Sequence, residues 1–549
     1  MQQKLTALML LSTVIGAGVG TSAEASSLPE ELSSQPAQTL PIASELSTSP
    51  TLPASSLESL DTLSSATSAP LLGSAELTLP GTTPPETIGR LRMQQSGMML
   101  SQVPDVPPPA DSFPEPLPEP EPTPEPVLPE TPVTPAEPVE SPPETGPTVA
   151  VQGFEVSGST VFDQSDFEPV LAPFVGQSLG IDQLRQAADS ITQLYLNEGY
   201  ITSRAVLPNQ PITDGLVKLQ IIEGSLEEIR IEDADRLTNY VRSRINLGAK
   251  TPLNQFDLED QLRLLRADPL IDNIEASLRA GTGLGQSILV VRIAEADPFE
   301  AHLTLDTDSP VSVGVVRTGA NVTYRNPFGI GDRIRAAAYR ATTGGSHLYE
   351  LSYSAPVNAM NGTISARFLP SEFEIISPQD LAAFDIEGDA QVYELTYRQP
   401  LVRTPREEFA LSLGFRHRDG ETRIASTDFS SNSASVIQFG QDYLRRDVKG
   451  AWALRSQFGL GVDWLDATNE PSPQPDSQFI SWLGQVQRAQ ILNQDHLLIL
   501  QGDIQLASDT LLGSEQIVTG GRQSVRGYSQ TARFGDNGVR LSIDARITV

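Results

Sequence analysis

From Phe299 onward, apolar and polar residues alternate with period two over long stretches. Between Glu408 and Arg416, the residues Phe409, Leu411, Leu413 and Phe415 share one face, and Ala410, Ser412, Gly414 and Arg416 share the other. Tyr393, Leu395 and Tyr397 oppose Val392, Glu394, Thr396 and Arg398. Trp452, Leu454, Phe458 and Leu460 oppose Arg455 and Gln457, while Leu498, Leu500, Ile504 and Leu506 oppose Gln501, Asp503 and Gln505. Such alternation marks strands with two unlike faces. It predicts about twelve strands, near 299–307, 317–326, 332–342, 346–355, 361–369, 389–399, 407–418, 433–446, 449–464, 477–491, 494–507 and 538–548. Polar stretches at 370–388, 419–432 and 465–476 read as long loops. Strands of about ten residues suit a tilted crossing of the hydrocarbon around a wet lumen. A soluble sandwich also alternates, but its polar face looks outward and its loops are usually shorter.

Upstream the period changes. Val149 to Val156 reads as a strand, Asp163 to Leu171 and Ile181 to Asn197 as helices, and Arg204 to Leu207 and Leu216 to Ile222 as strands. Leu184, Ala187, Ile191 and Leu194 form the apolar stripe of the second helix, which Gly199 stops. The order then repeats. Leu226 to Ile231 is a strand, Asp233 to Ile245 and Leu258 to Arg266 are helices, and Ile274 to Arg279 and Ser287 to Ile293 are strands. Gly281, Gly283 and Gly285 resemble a nucleotide loop only loosely; they join two strands, which favours a hairpin turn. Each β-α-α-β-β unit leaves a strand edge that can accept an extended peptide.

The N-terminus has the layout of a secretory signal peptide. Lys4 is followed by an apolar or small run from Leu5 to Gly20 and by Ala23-Glu24-Ala25, with Ser26 as the expected new N-terminus. A membrane anchor is the other reading, but the run is short for a span and a processing site follows. No later apolar run reaches spanning length, so a membrane location requires a barrel. Residues 26–148 read as a disordered linker rich in Ser, Pro and Glu; from Pro104 to Pro147 there are 18 prolines, ten acidic residues and no basic one. A spacer is the plain reading, and binding to cell-wall material is the alternative. Ile88 to Leu100 has the pattern of a short amphipathic helix, a weak signal for a plug or docking element.

Composition narrows the chemistry. The 549 residues carry a net charge of −32, which argues against a nucleic-acid partner. There is no Cys, and His302, His347, His417 and His496 lack metal-ligand spacing, so neither a metal nor a cofactor is expected. No G-x-S-x-G elbow, P-loop or H-E-x-x-H is present.

The sharpest motif lies between the last two predicted strands, in the 30-residue segment from Ser508 to Asn537. It contains Val525-Arg526-Gly527-Tyr528 and then Gly535-Asp536-Asn537-Gly538. Alone, such a string is an ordinary surface turn; its place after two α/β repeats and many strands makes it specific. The repeats look like POTRA (polypeptide-transport-associated) domains. Residues 150–549 resemble the superfamily of POTRA-bearing outer-membrane β-barrels, and most closely its two-partner-secretion branch, the haemolysin and haemagglutinin secretion/activation transporters. Supporting strings are Asn326-Pro-Phe-Gly-Ile-Gly-Asp332, Ser352-Tyr-Ser-Ala-Pro356 and Tyr397-Arg-Gln-Pro400.

Together these readings divide the chain into a signal peptide at 1–25, a linker at 26–148, POTRA domains at 149–223 and 224–296, and a transmembrane β-barrel at 297–549. The resemblance implies an outer-membrane location, with the POTRA domains and linker in the periplasm. The expected function is non-enzymatic: a secreted polypeptide of haemagglutinin or haemolysin type, β-helical once folded, is bound by the POTRA domains and passed through a monomeric barrel. An assembly factor that inserts other barrels is the alternative, although such factors usually carry more POTRA units. The resemblance also implies that the loop folds back into the lumen, where Arg526 meets an acidic wall residue. The resembled transporters have sixteen strands, and four follow the strand after this loop, one bearing a Phe-x-Asp-x-Gly motif. Phe534-Gly535-Asp536-Asn537-Gly538 fits that motif formally, but its closeness to Tyr528 marks it as the returning arm of the loop. The sequence is therefore expected to be about four strands short, with a closed twelve-stranded barrel as the alternative.

Overall fold

The structure is a computed structural model. It describes residues 148–547 apart from 472–473, 494–495, 522–523 and 526. The expected leader, the linker, the segment 88–100 and Arg526 lie outside the described residues.

The first α/β unit contains β1 (Val149–Ala150), β2 (Gly153–Ser157), α1 (Gln164–Leu171), β3 (Ser178–Leu179), α2 (Ile181–Asn197), β4 (Arg204–Val206) and β5 (Leu216–Ile222). The sheet order is β2-β5-β4, with β2 parallel and β4 antiparallel to β5. The initial strand is split where one was expected, because β1 leaves this sheet to pair with β3. The helices form for local reasons. Asp163 caps α1 by accepting from Ser165 N–H, and Gly199 ends α2 at φ +87°. Along α2, Leu184, Ala187, Ala188, Ile191 and Tyr195 are buried against the sheet. Burial of each large aliphatic chain contributes about 1.5–3 kcal/mol.

Tyr195 gives this core a pH dependence. Its hydroxyl donates to Ser159 Oγ at 2.7 Å and lies 3.3 Å from Glu223 Oε1. Burial, with the Glu223 charge adding to it, pushes the phenol up to about 12. Folding thus favours the neutral phenol. Its contribution is complete below the ordinary tyrosine value of about 10 and fades as the pH climbs to the folded-state value. The urea midpoint of this unit in the intact protein, followed by limited proteolysis, is expected to fall over that window more steeply than in Tyr195→Phe. Parallel slopes for the two proteins would contradict this assignment.

The second unit repeats the design with β6 (Ser225–Glu232), α3 (Thr238–Gly248), α4 (Gln255–Arg266), β7 (Ile271–Ala280) and β8 (Gln286–Glu295), in sheet order β6-β8-β7. Helix α3 begins at Thr238 rather than at Asp233, because Asp233 sits at φ +63° and breaks the helical path. Gly281 to Gly285 is the hairpin between β7 and β8. The two units meet tightly. Gly224 N–H donates to Ser203 Oγ at 2.9 Å, and a Cβ on Gly224 would lie 1.9 Å from Thr202 Oγ1.

The rest is one antiparallel sheet of twelve strands in consecutive order: β9 (Phe299–Asp306), β10 (Arg317–Arg325), β11 (Arg333–Ala341), β12 (Ser346–Pro356), β13 (Thr363–Glu374), β14 (Ile386–Arg403), β15 (Glu407–Ile424), β16 (Thr427–Asp447), β17 (Gly450–Val462), β18 (Ile480–Asn493), β19 (His496–Ala507) and β22 (Gly538–Ile547). Each strand overlaps the stretch where alternation placed it, but β13 runs on to Glu374 and β14 starts at Ile386, so both ends of the expected loop 370–388 are strand. Among the described residues β9 and β22 each pair with one neighbour and not with each other. Segment 419–432 is not the expected loop. It continues β15 and β16 to a two-residue turn at Ala425 and Ser426, both with positive φ, as in a type I′ hairpin. Its polarity belongs to a strand pair with two wet faces.

One face of the sheet exposes Leu395, Leu413, Trp452, Leu500 and Leu541. The other carries ion pairs. Arg367 bridges Glu350 at 3.2 Å and Glu394 at 3.4 Å, and Arg398 meets Glu408 at 2.6 Å. Asp442, Arg455, Gln485, Asp503 and Arg540 lie opposite one another on five successive strands. Arg455 Nε donates to Asp442 at 2.8 Å, and Gln485 and Arg540 both donate to Asp503. A charged row paired across strands can line a lumen; it cannot face lipid, where each bare charge costs several kcal/mol.

Candidate functional site

The segment from Ser508 to Asn537 folds against the charged face. Its two arms pair as a small hairpin, β20 (Ile517–Thr519) with β21 (Arg533–Gly535), Ile517 opposite Gly535. Asp536 fastens the base: its Oδ1 accepts from Leu511 N–H at 3.0 Å and from Gln516 Nε2 at 2.8 Å. Asn537 Oδ1 accepts from Ala507 N–H at 2.8 Å, and Gly538 opens β22. Gly535 thus ends β21, and Gly538 starts the last strand. At the tip, Gly521 N–H donates to the Tyr528 carbonyl at 3.2 Å, and Tyr528 N–H to the Val525 carbonyl at 3.4 Å. Gly527 occupies that turn at φ +91°, a conformation that favours glycine, and Tyr528 is exposed.

Glu515, before β20, carries the loop's contact with the wall. Its carboxylate pairs with Arg416 on β15. Its carbonyl accepts from Gln505 Nε2 at 2.9 Å. A cleft of about 230 Å³ separates loop from wall, with Gln516, Val518 and Phe534 on one side and Phe373, Arg418 and Ser430 on the other. Alternation had already put Arg416 on the polar face. Nothing in the sequence linked it to Glu515, which is 99 residues away.

A second constellation joins the second α/β unit to the sheet. Asn326 to Asp332, between β10 and β11, is a closed turn. Asn326 N–H donates to the Asp332 carbonyl at 2.6 Å, and Asn326 Oδ1 accepts from Gly331 N–H at 2.9 Å. Asp332 is fully buried and accepts from Phe328 N–H and from the Tyr353 hydroxyl at 3.1 Å. Two of the sequence strings thus meet here. The third, Tyr397 to Pro400, runs into a bulge of β14 between Pro400 and Val402. Against this turn and the next one, 357–362, sit two residues of α3 and one just before it. Arg236 donates to the Pro327 carbonyl at 2.6 Å, the Tyr240 ring packs on Gly331, and Arg244 donates to Asn361 Oδ1 at 3.1 Å. Arg244 also stacks 3.3 Å from the Tyr240 ring centroid. Among the described residues no cluster of three or more His, Asp or Glu is placed to hold a metal.

The segment from Ser508 thus rests on the charged face, and the second α/β unit is docked at one end of the sheet. Residues 285–546 match the family model of the haemolysin secretion/activation proteins ShlB/FhaC/HecB, and residues 149–224 match the ShlB-type POTRA domain. Over these residues the chain belongs to this transporter family. It is 25% identical over 403 residues to the outer membrane transporter CdiB of Escherichia coli, across 72% of this chain and 68% of the relative. It is 26% identical over 410 residues to the hemolysin transporter protein ShlB of Serratia marcescens, across 72% of each. Its fold is similar to that of the solved CdiB from Escherichia coli, with TM-score 0.61 and 21% identity over 85% of this chain and 84% of that one. The transporter resides in the outer membrane, its POTRA units in the periplasm. The turns at 326–332, 357–362, 404–406 and 448–449 lie on the periplasmic side, and the segment from Ser508 leaves the sheet at the opposite end.

Proposed function

We propose that the transporter secretes one dedicated partner, a haemagglutinin- or haemolysin-like polypeptide that folds as a β-helix outside the cell. The client, still unfolded, adds as a strand to an exposed POTRA edge and then threads a monomeric barrel. Residues 149–223 and 224–296 act as the two periplasmic receptors, each with outer strands open to pairing. Arg526 locks the loop to the lumen wall, Val525, Gly527 and Tyr528 shape its tip, and Gly535 to Gly538 form its return. Folding of the client at the surface draws the chain outward. The observation that carries this reading is the Glu515 pair that holds the loop on the charged face of the sheet, together with the second α/β unit docked at its rim. Co-expression with the product of the neighbouring reading frame is expected to place that product outside the cell only when the transporter is present. If depletion instead strips other barrels from the outer membrane, the chain is an assembly factor and the proposal fails.

A further inference from the structure

Between the C-terminal end of α4 and the periplasmic rim of the barrel lies a cavity of about 700 Å³. Most of the barrel residues lining it belong to the lumen face: Thr363 lies opposite Arg398, and Glu408 shares the face of Ala410 and Ser412. Seven arginines and four carboxylates border it. All four carboxylates are already engaged. Asp268 accepts from Tyr240, Asp332 from Tyr353, Glu408 from Arg398 and Asp447 from Arg488. Four of the arginines, Arg266, Arg333, Arg406 and Arg446, are exposed, and none makes an ion pair among the described residues. They come from the second POTRA unit and from three separate edges of the barrel rim. In a chain of net charge −32, this vestibule is a positive island on the path into the lumen.

We propose that the vestibule receives acidic stretches of the transported polypeptide, its arginines pairing in turn with successive Asp and Glu side chains. The inference rests on the transport of an unfolded client proposed above and adds the chemistry by which that client is gathered at the mouth. Guanidinium forks engage carboxylates without a fixed register, which suits a chain that must keep moving. A cavity with low-dielectric walls focuses their field over more than the ~8 Å screening length of physiological salt. Lipid phosphate is the competing anion, but most of the lining belongs to the lumen face rather than to the face carrying Leu395 and Leu413.

The test uses the full-length protein in detergent and a fluorescein-labelled decapeptide of alternating Asp and Gly, read by anisotropy. Binding is expected to weaken steeply with added salt, to fail for the matching Lys and Gly peptide, and to drop roughly tenfold in Arg266→Gln/Arg406→Gln/Arg446→Gln. Equal binding by that variant, salt-independent binding, or preferential capture of phosphatidylglycerol nanodiscs by the wild type would each overturn the proposal. The salt titration on the wild type decides even if the triple variant does not fold. Secretion of the partner is scored separately. A protein that binds the peptide but exports nothing sinks the client reading alone, and one that exports normally but ignores the peptide sinks the vestibule alone.

Discussion

Arg416→Ala and Arg526→Ala are each expected to cut secretion of the partner by roughly tenfold or more while the protein still reaches the outer membrane. For Arg416 the reasoning is geometric. Its guanidinium, on the lumen wall, holds Glu515, whose side chain is 7% exposed. Removing the guanidinium deletes a charge-assisted bond between the loop and the wall. A charge-assisted bond worth about 1.5–3 kcal/mol shifts the docked fraction about ten- to hundredfold. For Arg526 the expectation follows from the lock proposed above. Arg416→Lys separates charge from shape: it keeps the cation and loses the fork, so intermediate secretion is expected. The check is an immunoblot of culture supernatant and outer-membrane fractions, with protease accessibility of the loop in whole cells. Normal export by Arg526→Ala would remove that residue from the mechanism; normal export with a protease-resistant loop in Arg416→Ala would remove the Glu515 contact.

The twelve strands were legible because a membrane barrel cannot hide its period: one face must satisfy lipid and the other water at every second residue. The same logic placed Arg416, Asp503 and Arg455 on the lumen face before any contact was known. It failed at 419–432, where the strand pair rises into water on both sides and loses its alternation; only the turn at Ala425 and Ser426 ends it. The POTRA helices were legible from their stripes, but the start of α3 was not, because a single positive φ at Asp233 decides it. Asp536 reads from the sequence as part of a returning arm, since it follows Tyr528 so closely. Its two hydrogen bonds at the loop base were not foreseen, because Leu511 and Gln516 carry no motif. The vestibule was invisible in the sequence: Arg266, Arg333, Arg406 and Arg446 are scattered over 181 positions and converge only when α4 meets the rim.

The joint at that rim supplies the other large expected effect. Gly331→Ala should uncouple the second α/β unit from the barrel and abolish most secretion. Gly331 has φ +86°, where any side chain costs about 1–2 kcal/mol. A Cβ there would also fall 2.2 Å from Tyr240 Cε2. The ring cannot step aside cheaply. Its hydroxyl is tied to Asp268 at 2.6 Å, Arg244 lies across its face, and Arg244 in turn reaches Asn361 on the next periplasmic turn. Burial, and then the Asp268 charge, push the Tyr240 phenol above its ordinary value, and burial lowers Arg244, as expected of groups shut away from water. Moving the ring therefore breaks two contacts between the α/β unit and the barrel at once. Limited proteolysis in spheroplasts should cut the variant between Glu295 and Phe299, while heat-modifiable mobility of the barrel on gels stays unchanged. Tyr240→Ala removes the obstructing ring, so in the double variant the steric part of the loss should vanish and the backbone strain remain, a coupling that a double-mutant cycle reads directly. Additive losses would mean that Gly331 and Tyr240 act independently, and the joint would then be held by Arg236 on the Pro327 carbonyl instead.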